Sequence, residues 1–108
     1  MTAPFTEPAL DKEGFLRQLD DWSPAVAEWL AGRQSIDLTE AHWEIIHLVR
    51  AYYERYHLSP AMRVLVNVTK AQLGPEKGRS IHLMLLFPGK TARLISQIAG
   101  LPKPDNCD

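Results

Sequence analysis

Leu38-Thr39-Glu40-Ala41-His42-Trp43-Glu44-Ile45-Ile46-His47-Leu48-Val49-Arg50-Ala51-Tyr52-Tyr53-Glu54-Arg55-Tyr56 carries one periodicity from end to end, and its reading decides the fold class. Trp43, Ile46, Val49, Tyr53 and Tyr56 recur at intervals of three or four, the spacing of a single apolar stripe along an α-helix. Thr39 supplies the start, because its side chain suits the cap position before the orphan amides of the first turn. Glu40 sets a negative charge at the positive end of the helix dipole. Leu38 and Trp43 stand where a hydrophobic staple clamps the entry. The stretch predicts an amphipathic helix whose aromatic residues Trp43, Tyr52, Tyr53 and Tyr56 belong to a core.

Helical punctuation continues on both sides. Upstream, Ser23-Pro24 is a start signal, with Ser as cap and Pro at the first helical position. Ala25, Val26, Trp29 and Leu30 follow at helical spacing, and Gly32 suits the stop. Asp11–Asp20 reads as a short helical stretch, and residues 1–10 as an extended lead or at most a short strand. Downstream, Ser59-Pro60 repeats the start signal for a third helix carrying Met62, Leu65, Val66 and Leu73, closed by Gly74-Pro75. A fourth segment holds Ile81, Met84 and Leu85 and closes at Phe87-Pro88-Gly89. Leu94, Ile95 and Ile98 mark a last short helix that stops at Gly100. The count predicts a mainly α, small single-domain helical bundle with short connections. Its one domain, residues 1–108, divides into an extended lead (1–10), a helical body (11–100) and a mobile C-terminal arm (101–108).

The arm is Leu101-Pro102-Lys103-Pro104-Asp105-Asn106-Cys107-Asp108. Two prolines prevent a helix from continuing and bias the backbone toward polyproline II. At ~3.1 Å per residue, seven steps carry Cys107 up to about 22 Å from Gly100. Cys107 is the single cysteine of the chain, which excludes an internal disulfide and a zinc site built on several thiolates. A structural cysteine normally sits in the core, whereas a thiol at a chain end can reach other molecules. A solvent-exposed thiol has a pKa near 8.5, leaving only a few per cent thiolate at neutral pH. Lys103 lowers that value slightly and the acids Asp105 and Asp108 oppose it. The arm therefore suits a carrier thiol activated by its partner better than a free-standing catalyst.

Composition excludes several classes. In 108 residues, 45% are hydrophobic and 23% charged, so the chain is neither disordered nor a disulfide scaffold. No apolar run approaches the ~20 residues that cross a bilayer. The N-terminus lacks the basic and apolar regions of a signal peptide, and the reading is a cytoplasmic protein without membrane contact. The net charge of −1 hides an asymmetry: residues 1–54 hold ten acids and four bases, and residues 55–108 eight bases and three acids. Such a layout either steers docking or solvates each half's own surface. Lys77, Arg79, Lys90 and Arg93 form a candidate basic patch, read as a solvated helix face or a docking surface for an acidic protein rather than for tRNA. The sequence pI of about 6.4 falls well below that of a nucleic-acid-binding domain.

Other chemistry finds no motif. His42 and His47 are five apart, roughly 140° round a helix, and do not share a face. With His57 and His82 they form no HExxH, and no CxxC exists, so neither a metal nor a cofactor is expected. A nucleophile elbow is absent. Gly74, Gly78 and Gly89 are scattered around prolines and do not form a phosphate loop.

Leu86-Phe87-Pro88-Gly89, then Ile98-Ala99-Gly100-Leu101-Pro102-Lys103-Pro104 and the penultimate Cys107, resemble the DsrC/TusE family of small sulfur-carrier proteins. His42-Trp43-Glu44 and Ser59-Pro60-Ala61-Met62-Arg63 are similar to its internal motifs. The resemblance runs from about Asp11 to the end. It implies a helical fold, often opened by a short N-terminal β-hairpin, and a persulfide carried on the penultimate cysteine, here Cys107. Gly100, Pro102, Lys103 and Pro104 are then the supporting arm residues. Dissimilatory DsrC proteins hold a second cysteine eleven positions earlier, where this chain has Ser96. The resemblance thus points to the TusE-like branch: a sulfurtransferase relaying sulfur from a TusBCD-like donor complex to an MnmA-like tRNA thiouridylase, for 2-thiolation of the wobble uridine. Direct tRNA binding is not expected. Sulfur trafficking in sulfur oxidation and a non-catalytic regulatory or adaptor role are the alternatives.

Overall fold

Glu40–Tyr56, here α2, is the longest helix of a computed structural model that describes residues 5–105. Around it stand α1 (Pro24–Arg33), α3 (Met62–Leu73), α4 (Ser80–Leu86) and α5 (Thr91–Ile98). The shortest-but-one, α5, is the axis of the bundle: it packs on α1, α2 and α3. Six of its eight residues are buried, among them Ile95, Ser96 and Ile98. The core also takes Val26 and Leu30 from α1, Ile45, Ile46 and Val49 from α2, Leu65 from α3, and Leu83 and Phe87 around the end of α4. The mainly α bundle expected from the spacing is what the chain forms.

Starts and stops follow local chemistry where a polar partner is at hand. The Ser23 hydroxyl accepts the Val26 amide at 3.2 Å, and Pro24 opens α1 as expected. At α2, the Thr39 amide donates to Nδ1 of His42 at 3.0 Å, and Nε2 of that ring donates to the Leu86 carbonyl at 2.8 Å. His42 thus closes a capping box and pins the start of α2 to the end of α4, with its ring edge-on to Phe87.

Several expectations are corrected. Asp11–Asp20 is not a helix. Oδ1 of Asp11 accepts the amides of Glu13 (2.9 Å) and Phe15 (3.0 Å), drawing the backbone into a turn instead. Gly14 takes φ +89° there, and Leu10 bridges antiparallel to Leu16. The short hairpin therefore exists as a single bridge, followed by a 3-10 turn over Leu19–Asp21. Helix α1 runs past Gly32 to Arg33 and ends in a Schellman turn: the Ile36 amide donates to Ala31 O and the Ser35 amide to Gly32 O. Ser59 does not cap α3, which begins after Ala61 with no side-chain cap. Tyr56 is 52% exposed and lies on the ring of Tyr52, so the buried face of α2 is His42, Ile45, Ile46 and Val49. On α4, Ile81, Met84 and Leu85 face solvent, because the single core residue of that helix is Leu83.

One buried hydroxyl is out of keeping with its surroundings. The Ser96 hydroxyl is fully covered and has no hydrogen-bond partner. A buried hydroxyl in that condition forfeits its hydration without return. Ser96→Ala is therefore expected to stabilise the domain by about 1 kcal/mol, raising Tm by roughly 5 °C in a thermal melt. A lower Tm would show that the hydroxyl has a partner in solution.

Candidate functional site

The last turn of α5 and the arm that follows form one constructed unit. Ala99 continues the helical turn and Gly100 enters the left-handed region at φ +75°. The Leu101 amide donates to Ser96 O at 2.8 Å and the Gly100 amide to Gln97 O at 3.1 Å, a second Schellman turn. The remaining carbonyls are claimed from afar. Nε1 of Trp22 donates to Ile98 O at 3.0 Å, and Arg50 donates to Ala99 O at 2.6 Å. The Arg50 guanidinium lies 3.7 Å from the centre of the Trp22 ring, and a cation at a helix C-terminus is favoured by the dipole. Burial pulls Arg50 below the usual guanidinium range, with Glu54 opposing the shift. Trp22 also presses on Gly100 so closely that a Cβ there would fall 2.3 Å from its Cδ1. Beside this socket opens a cleft of about 510 Å³ whose walls include Asp20, His47, Arg50, Glu54 and His57.

The arm itself is docked as far as it is described. Leu101 is 3% exposed and Pro104 is fully buried, while Pro102 and Lys103 between them face outward. The Ser59 hydroxyl donates to Pro102 O at 2.5 Å, and Nζ of Lys103 reaches Glu13 Oε2 at 3.0 Å. The same Glu13 oxygen receives Arg93 at 3.2 Å. Lys103, the cation of the expected supporting arm, thus pairs within its own chain. The arm was expected to be mobile from residue 101. The segment 101–104 is instead part of the body, because burying Leu101 alone contributes about 2 kcal/mol. The exposed ion pairs add little to that and chiefly set register. Gly100, Pro102, Lys103 and Pro104, the expected supporting arm residues, all fall in or at the start of this docked segment. Cys107, the expected persulfide residue, lies outside the described residues.

Charges from the two halves meet here. Glu13–Lys103, Glu13–Arg93 and Glu44–Lys77 each join an acid of the N-terminal half to a base of the C-terminal half. The candidate basic patch is correspondingly divided, with Lys77 and Arg93 engaged internally. The Lys103 ammonium, helped by Arg93, holds the Glu13 carboxyl below its ordinary value. The backbone amide of Phe15 does the same for Asp11, aided by Glu13 N–H and Arg17. A lowered folded-state pKa means stability that is full above the unfolded value and lost as pH falls through the folded one. The Asp11 turn and the Glu13 contact are thus expected to loosen together below about pH 4. The protection of the Phe15 amide, its exchange relative to the intrinsic rate at each pH, should fall in that window for the wild type, and already at pH 7 in Asp11→Asn. An acid-insensitive Phe15 amide would contradict this.

The four histidines are dispersed. His42 is structural, His47 stacks on Trp43, His57 ends α2 in a left-handed conformation, and Nε2 of His82 is buried without a partner. Among the described residues no group of three or more His, Cys, Asp or Glu is arranged to hold a metal, and no helix is long and apolar enough to cross a membrane. Glu13, Trp22 and Arg50 escaped the sequence reading, and Ser59 entered it only as a helix start and a motif residue. Gly100, read as the helix stop, marked the turn, and the Leu that follows it fits, since an apolar residue there accompanies Schellman turns.

Comparison with known proteins adds three findings. The family profile described as DsrC like protein matches residues 5–107. Sulfurtransferase TusE of Sodalis glossinidius (strain morsitans) is 49% identical over 102 residues, 94% of each chain, and sulfurtransferase TusE of Yersinia pseudotuberculosis serotype I (strain IP32953) is 46% identical over 97 residues, 90% of each. The NMR structure of Allochromatium vinosum DsrC superposes with a TM-score of 0.83 at 46% identity, covering 92% of this chain and 88% of that one.

Proposed function

The chain belongs to the DsrC-like protein family, and on that premise we propose that it works as a sulfur carrier whose reacting atom is Sγ of Cys107. It is a sulfurtransferase of the TusE kind; near-identity in length and up to 49% identity to proteins so named is the observation that carries this. Likeness alone does not choose the branch, since a DsrC structure is 46% identical as well. Ser96 supports the choice. With a hydroxyl where the dissimilatory proteins have a thiol, no internal sulfur bridge can close, and the chain can only take up sulfur and hand it on.

The chemistry is thiol–persulfide exchange. The Cys107 thiolate attacks the outer sulfur of a donor persulfide; the donor's S–S bond breaks, its thiolate leaves, and an S–S bond forms on Cys107. An acceptor thiolate then attacks the outer sulfur and releases Cys107 as thiolate, with no net oxidation in either step. Lys103, the cation of the arm, is held by Glu13 and so contributes little to ionising the thiol. That leaves activation to the partner.

The protein acts in a sulfur relay with other proteins. A TusBCD-like complex is the donor in this reading and an MnmA-like tRNA thiouridylase the acceptor, for wobble-uridine 2-thiolation. The test is the 2-thiouridine content of tRNA from cells lacking the gene. The wild-type gene is expected to restore it and Cys107→Ser to leave it absent. Restoration by Cys107→Ser would overturn the carrier reading and favour an adaptor.

A further inference from the structure

We propose that the outward face of α4 is the surface on which the sulfur-donating protein docks. Ile81, Met84 and Leu85 supply its apolar centre, and Arg79 and Lys90 its charged edges. The occupant is a protein surface with an apolar hollow bordered by carboxylates. Its identity as the donor rests on the sulfur-carrier reading.

The apolar centre is concentrated, not scattered. Of the seven large hydrophobic residues exposed among the described ones, three fall within five positions of one helix. Positions 81, 84 and 85 are three and four apart from the first, so they share one side of α4. Leu85 is 75% exposed, more than any other of the seven. The other side of the helix already gives Leu83 to the core. A solitary exposed leucine needs no explanation, whereas a contiguous apolar patch with a polar rim marks an interaction site.

The charges at its edges find no use inside the chain. From Lys77 to Pro104 the sequence holds five bases and no acid. Lys77, Arg93 and Lys103 are each held by a glutamate of the N-terminal half. Arg79 and Lys90, on either side of α4, make no ion pair among the described residues. Neither serves its own helix: Arg79 caps α4 and Lys90 caps α5, at the end where the dipole disfavours a cation. Sequences break such rules mainly where function requires it, and carboxylates on a partner offset the cost. The same charges favour the donor over the acceptor. A protein that holds tRNA presents bases to the phosphates, and these Arg79 and Lys90 repel.

The face also borders the docked part of the arm. Arg93 and Lys103 meet on one oxygen of Glu13, so the arm turns back from Gly100 along α5 towards that helix's first turn. Lys90 opens α5 one turn before Arg93, at the end of the connection from α4. A protein seated on α4 therefore stands beside the seated segment 101–104 and need not dislodge Leu101 or Pro104 from their burial.

The test measures binding of the full chain to the purified, uncharged TusBCD-like complex, so that no sulfur need move. It compares wild type with Leu85→Asp, Arg79→Gln/Lys90→Gln and Tyr56→Asp, each confirmed as folded by its melt. Leu85→Asp is expected to weaken Kd at least about tenfold, since it places a carboxylate against an apolar, acid-edged hollow. The glutamine pair should slow association about five- to tenfold at low ionic strength and flatten its salt dependence. Tyr56→Asp, which alters an equally exposed residue of α2, should bind as wild type does. Wild-type affinity in Leu85→Asp, or an equal loss in Tyr56→Asp, would overturn the proposal. So would a wild-type dimer that Leu85→Asp turns into a monomer, because a second copy of the chain then covers the face. Leu85-dependent binding to a charged donor that passes no sulfur to the chain would leave the docking surface standing and overturn the carrier reading instead.

Discussion

Gly100→Ala is expected to lower Tm by about 15 °C, corresponding to roughly 3 kcal/mol in a domain of this size. Two costs add. An alanine at φ +75° is strained by about 1 kcal/mol. Its Cβ would also stand 2.3 to 2.8 Å from three atoms of Trp22, including Cβ, so no swing of a flexible tip relieves the overlap. Relief demands that Trp22 move, which breaks its bond to Ile98 O and its stacking under Arg50. Gly32→Ala is the internal control. Gly32 lies inside α1 with open space around its Cα, and alanine there is expected to stabilise by up to about 1 kcal/mol. The same chemical change thus has opposite signs at the two sites. A Gly100→Ala melt within a degree or two of wild type would show that the Trp22 socket does not form.

Cys107→Ser is expected to separate chemistry from stability completely. The anchors of the arm, Leu101 and Pro104, are untouched, so the melting free energy should move by no more than about 0.5 kcal/mol. Sulfur uptake should vanish, because a serine hydroxyl is not ionised at neutral pH and cannot attack a sulfane sulfur. Gly100→Ala and Cys107→Ser therefore damage the same arm in opposite ways, one through its seat and the other through its reacting atom.

How much of this was legible in the sequence depends on the range of the contacts involved. Ser23-Pro24, Thr39 with its staple, and Gly100 with the apolar residue after it are local signals, and the helices begin or end at them. Asp11 was misread because its carboxylate competes for backbone amides and makes a turn where spacing alone suggested a helix. The outward turn of Ile81, Met84 and Leu85 was invisible because periodicity marks a stripe without saying what lies against it. The socket was illegible for a stronger reason. Trp22 meets Ile98 across 76 residues, Ser59 meets Pro102 across 43 and Lys103 meets Glu13 across 90. Only the opposed charges of the two halves hinted at the last of these. The residue proposed to react, by contrast, needs no fold to be noticed: it is a single cysteine beyond two prolines.

The most direct measurement is the intact mass of the wild-type protein after incubation with cysteine, a cysteine desulfurase and the TusBCD-like complex, followed by mapping of the modified peptide. The account expects the gain of one sulfur atom on Cys107, removed by reductant and absent in Cys107→Ser. Unchanged mass beside a demonstrably charged donor, or equal uptake by Cys107→Ser, would contradict it.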